Sequence, residues 1–152
     1  MKLAEALAQR ADIQKRMTEV RYRAAQNARY QEGEKPAEDS ARLLEEFDRL
    51  AGQLASLIRR INRTNLATEL RPGMTLTDAI AERDSLSLRY AATNEVATAA
   101  SGRLDRTTRS EVKYVTKLDV PALRTAADRL AREYRDLDMA IQERNWTTEL
   151  LD

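Results

Sequence analysis

Between positions 59 and 65 the chain reads RRINRTN, three arginines and two asparagines within seven residues. Guanidinium and amide groups are rich in hydrogen-bond donors, so this set suits an anionic ligand such as a phosphate or a carboxylate. Arg10, Asn27, Arg83 and Arg144 interrupt apolar stripes elsewhere in the chain. With Arg60, Asn62 and Asn65 they form a candidate polar layer or ligand pocket. The same groups buried in a helical seam also fix register, as a single polar residue does in a coiled coil. Amides and guanidinium groups specify packing more often than they do chemistry. Register is therefore the primary reading, and a small anionic ligand the alternative.

Other side-chain chemistry is sparse. Glu45/Asp48 and Glu133/Asp136 are ExxD pairs, and i,i+3 carboxylates share a helix face. Helical enzymes that hydrolyse nucleotide pyrophosphates need an ExxE pair as well to hold magnesium, and the chain has none. Exposed acidic pairs of this kind are ordinary helix surface. Cysteine and histidine are both absent, which removes disulfides, thiolate and imidazole metal sites, and Ser-His or Cys-His nucleophiles. The sequence thus assigns no catalytic residue, no metal site and no cofactor. Arg103, Arg106, Arg109, Lys113 and Lys117 form a basic run around Tyr114. A net charge of only +1 and a lone aromatic argue against nucleic acid.

The elements that must position these groups are helices. Ala, Leu, Arg and Glu dominate, Gly and Pro are few, and these residues lose least on entering a helix. Phe47, Leu50, Leu54, Leu57 and Ile61 step by three and four, a stripe that continues into Thr64 and Thr68. Leu3, Ala6, Ile13, Met17, Val20 and Ala24 form a second stripe, with Arg10 and Asn27 on its seam. Leu76, Ile80, Leu86, Tyr90 and Ala97 form a third, which also carries Arg83. Leu123, Ala127, Leu130, Tyr134, Leu137, Ile141, Arg144, Thr148 and Leu151 form a fourth. Small residues from Ala91 to Ser101 allow close approach by another helix.

The expectation is all-α: two long antiparallel helical hairpins with coiled-coil-like packing in a single domain over 1–152. Helices are expected at about 2–31, 40–70, 76–103 and 120–149. Gly33 and Pro36 end the first, Arg71-Pro72-Gly73 ends the second, and Asp39, Thr75 and Asp119 cap those that follow. Basic residues late in helix 1 and acidic residues early in helix 2 support their pairing, with Arg10 expected opposite Ile61 to Asn65. One segment departs from helix. Val112, Tyr114 and Thr116 alternate with polar or basic neighbours at a strand period, an extended stretch near 110–117 suited to serve as an oligomer edge. No segment approaches the ~20 apolar residues of a membrane span, and the start has no signal-peptide core. A cytoplasmic protein with no membrane or nucleic-acid partner is expected.

Five segments carry a family resemblance: NARYQEGEKPAED (27–39), LIRRINRTN (57–65), LTDAIAERD (76–84), RSEVKYV (109–115) and EYRDLDMAIQERNWTTEL (133–150). Their order and spacing resemble a septicolysin-like family of small bacterial helical proteins. The resemblance implies a helical fold and a bacterial origin, and its name implies a pore-forming lysin. It supplies no catalytic residues. The functional expectation is a non-enzymatic homo-oligomer acting by assembly or partner binding. An anion binder or enzyme built on the Arg/Asn layer is the first alternative, and a lysin the second.

Overall fold

A computed structural model describes residues 1–102 and 114–152 of the chain. It is all-α, with four long helices: α1 (Leu3–Gln26), α2 (Ser40–Ala67), α3 (Leu76–Ala100) and α4 (Val120–Thr147). Two short strands, β1 (Glu69–Arg71) and β2 (Met74–Thr75), separate α2 from α3. The chain forms two compact units, Met1–Thr75 with Gln142–Asp152, and Leu76–Ile141.

In the first unit α1 and α2 form an antiparallel hairpin. Leu3, Ala6, Ile13, Val20 and Ala24 of α1 are buried, as are Leu43, Leu50, Leu57 and Ile61 of α2. Both stripes read from the sequence are therefore the core seam. Arg16 pairs with Glu46 (Nε to Oε1, 3.1 Å) and Arg23 with Glu38 (Nε to Oε2, 2.8 Å), the charge pattern expected of these helices. The Asp39 carboxylate caps α2 by accepting from the N–H groups of Ala41 and Arg42.

Helix α1 ends five residues earlier than its periodicity suggests, and Asn27 is the reason. The Asn27 carboxamide donates to the Arg23 carbonyl at 2.9 Å, while its oxygen accepts the Glu38 N–H at 3.1 Å. The side chain thus competes with the next helical turn and draws the loop back. Ser40 also donates to the Ala24 carbonyl at 2.9 Å. This early closure shifts the register. Extending the Arg16–Glu46 and Arg23–Glu38 pairings takes Arg10 to the neighbourhood of Gln53. A shallow groove lined by Gln9, Ile13, Gln53, Ser56, Leu57 and Arg60 agrees with that alignment. Arg10 does not face Ile61–Asn65 as expected.

Helix α2 stops at Ala67, because Glu69–Arg71 pairs antiparallel with Met74–Thr75 around the Pro72-Gly73 turn. Gly73 has φ of 78°, the left-handed value that a proline-glycine turn of type II requires at its third position.

In the second unit α3 packs against the part of α4 that ends at Ile141. The Arg83–Asp138 contact at 3.1 Å and the Arg124–Asn94 contact at 2.9 Å set these helices antiparallel. Leu76, Ala79, Leu86, Ala97, Ala127, Leu130 and Ile141 are buried. The Asp119 carboxylate caps α4 through the Ala122 N–H. Of the expected extended segment, Val112 lies outside the described residues. Tyr114–Lys117 forms no strand, and Tyr114 and Val115 are exposed. The strands that do form, at 69–75, follow from the turn chemistry of Pro72-Gly73 rather than from β-branched alternation.

Candidate functional site

The polar end of α2 is a clamp for the C-terminal residues. The stripe reaches Thr64 after Ile61, where α1 has no further residues to offer, and the last residues of the chain cover the position instead. Thr64 is fully buried. Its hydroxyl donates to the Arg60 carbonyl at 2.8 Å and accepts the Leu151 N–H at 3.0 Å. Arg60 then donates to the Leu151 carbonyl at 3.1 Å and to the Asp152 carboxylate at 2.9 Å. Arg63 donates to the main-chain oxygen of Asp152. The guanidinium groups thus hold oxygen anions and dipoles, as expected, but those acceptors belong to the chain itself.

The same residues tie in the start of the chain. Lys2 and Glu149 form an antiparallel bridge, with the Leu3 N–H on the Thr148 carbonyl and the Leu150 N–H on the Met1 carbonyl, each at 2.9 Å. Glu149 accepts from Lys2 Nζ at 2.7 Å and from the Met1 amino group at 3.1 Å. The Lys2 hydrogen bond, then that of the Met1 amino group, holds its carboxyl below the usual value. Extended backbone alternates sides, so Leu150 is buried while Leu151 is exposed. The fourth stripe, extended as a helix, had placed Leu151 inward.

The other candidate residues occupy separate places. Arg144 donates to the Leu70 carbonyl in β1 at 3.3 Å. Asn27 is the α1 cap at the opposite end of the hairpin. Asn62 is exposed and Asn65 half-buried, and neither side chain has a hydrogen bond among the described residues. Arg10 is half-buried, also without an ion pair there. Arg83 belongs to the second unit, held by Asp84 at 2.8 Å and Asp138 at 3.1 Å. Burial works against its charge, yet the hydrogen bonds to Asp84 and Asp138 outweigh that cost and raise its pKa above the ordinary value. The structure therefore gathers Arg60 with Arg63 and Thr64, and disperses the rest.

Sequence reasoning missed Asn145, which is 5% exposed, and the acceptors Leu151 and Asp152. Nothing local marks a terminal carbonyl as the partner of an arginine almost a hundred positions away. Sequence reasoning also missed a group of exposed apolar side chains on α3, where Leu88 is 73% and Val96 44% exposed. Leu88 and Val96 flank Ala92 one turn to either side, on a face distinct from the Leu76–Leu86–Ala97 stripe.

No helix among the described residues is long and apolar enough to cross a membrane. Among them, too, no cluster of three or more acidic side chains is arranged to hold a metal ion.

Comparison with known proteins places this architecture. A crystal structure described as that of a functionally unknown conserved protein from Corynebacterium diphtheriae is 45% identical in sequence. It superposes with a TM-score of 0.95 over 99% of each chain. No curated protein matches the chain. Neither the family match nor this neighbour bears the septicolysin-like label or a lytic activity. The model of a family of unknown function (DUF6847) matches residues 10–150, and the chain belongs to that family.

Proposed function

We propose that the protein is a non-enzymatic helical protein that acts by assembling with copies of itself or by binding a protein partner. The observation that carries this reading is the apolar surface of α3, with Leu88 73% exposed and Val96 44% exposed on one face. A helix with apolar residues on more than one side is normally covered on each of them. The arginines that could have served a ligand are meanwhile engaged within the chain: Arg60 and Arg63 by the tail, Arg83 by two aspartates, Arg144 by Leu70. Light scattering over a concentration series tests the assembly reading. A mass that is a multiple of the chain supports it, and a clean monomer at every concentration overturns it.

A second reading, binding of a small anion, draws support from Arg10, a half-buried guanidinium with no acidic partner among the described residues. A phosphate or carboxylate that binds the native state must raise its melting temperature. A thermal-shift series with phosphate, nucleotides and carboxylates reads this directly, and no shift with any of them rejects it. The lytic activity implied by the septicolysin-like resemblance would be read as dye release from liposomes, and the exposed side chains give it no separate support.

A further inference from the structure

We infer that the exposed face of α3 is a self-complementary interface on which a second copy of this chain docks antiparallel, about a two-fold axis through Ala92. The inference rests on the assembly reading and gives it a location and a symmetry. Ala81, Ser85, Leu88, Ala92, Val96 and Ala99 recur at steps of three and four along α3, and all of them are exposed. Arg83, Asn94 and Thr98, which bond to α4, lie on the opposite side of the helix. The small residues let another helix backbone come close, while Leu88 and Val96 supply the apolar contact.

Charge selects the occupant. Arg89 and Glu95 flank the stripe three residues before and after Ala92, and the helical rotation puts them on opposite edges of it. Within one helix they cannot meet, because ion pairs form between residues three or four apart on a shared edge. Neither has an ion pair or hydrogen bond among the described residues. A two-fold axis through Ala92 reverses the helix direction and exchanges the two edges together. Arg89 then falls opposite Glu95 of the second copy, and Glu95 opposite its Arg89. The same operation sets Leu88 against Val96 and Ser85 against Ala99. Asp84, the next charge outward, falls opposite Ala100, so no like charges meet among the described positions of this face. This pattern is that of an isologous interface, in which one patch complements itself.

The experiment is sedimentation velocity over a concentration series on the wild type, Arg89→Glu, Glu95→Arg and the double variant R89E/E95R. Each single change sets like charges opposite each other twice and should weaken self-association roughly tenfold or more. The double variant restores opposite charges and should regain the wild-type assembly. Mixing the two single variants should also restore it, because one copy then presents two glutamates and the other two arginines. Helical content read by circular dichroism should be the same in all four proteins. As a second measurement, Ala92→Cys introduces the chain's only thiol, and a short bis-maleimide should link two copies through the axis. A wild type that is monomeric throughout overturns the assembly reading itself. A wild type that assembles equally well with either single change keeps that reading and overturns this interface.

Discussion

The hydroxyl of Thr64 accepts the Leu151 N–H at 3.0 Å while donating to the Arg60 carbonyl at 2.8 Å, joining the end of α2 to the C-terminal residues of the chain. Thr64 has no exposed surface, so water cannot replace it as the partner of the Leu151 N–H. Thr64→Val keeps the shape and removes both bonds, and leaving that part-buried donor without an acceptor costs about 1–3 kcal/mol. Thr64→Ser keeps the hydroxyl and should lose less. Urea unfolding of the three proteins checks the order, and a Val variant as stable as the wild type would refute the clamp.

Arg83 spans Asp84 on its own helix and Asp138 on α4, and only the second contact ties the two helices of its unit together. A double-mutant cycle with Arg83→Met and Asp138→Asn should therefore give a favourable coupling energy of about 1 kcal/mol. A parallel cycle between Arg83 and Asp84→Asn should give less, since neighbouring residues on a helix hold their spacing without the pair. Equal coupling in both cycles would mean that Arg83 does not link the helices. The Asp138 partnership should also weaken in high salt, since both groups are partly solvated.

Much of the fold was legible because period and punctuation agree. The seam from Leu50 to Ile61, the Asp39 and Asp119 caps and the turn at Pro72-Gly73 each follow from residues close in sequence. What was not legible depends on distant pairing. Asn27 was read as a seam residue because its place in the stripe is correct, yet its side chain does more by closing α1 early. That closure moved Arg10 away from the end of α2, and the vacated position went to a tail whose role lies in its backbone. Arg60 was rightly identified as a donor awaiting an acceptor, but a main-chain carbonyl carries no signal in the sequence. The face around Leu88 was hidden for a different reason. Its residues are mostly Ala and Ser, which periodicity counts weakly, and Arg89 and Glu95 gain meaning only when a second copy is considered.

Glu149 makes the pairing of Lys2 with the C-terminal residues sensitive to acid. Its carboxyl lies below its ordinary 4.5, because Lys2 and then the Met1 amino group hydrogen-bond to the ionised form. A carboxylate whose pKa is lower in the folded state binds fewer protons there than in the unfolded chain. Its contribution is therefore complete above that ordinary value and is lost as the pH falls below it through the folded value. Glu149→Gln should remove this contribution at neutral pH, and the stabilities of the two proteins should converge as the solution is acidified. Both partners are solvated, so the difference should shrink with added salt. The check is a pair of unfolding curves between pH 7 and about pH 3, below the ordinary carboxylate range. A gap between wild type and Glu149→Gln that widens on acidification would contradict this assignment, because protonation could then only be strengthening the contact.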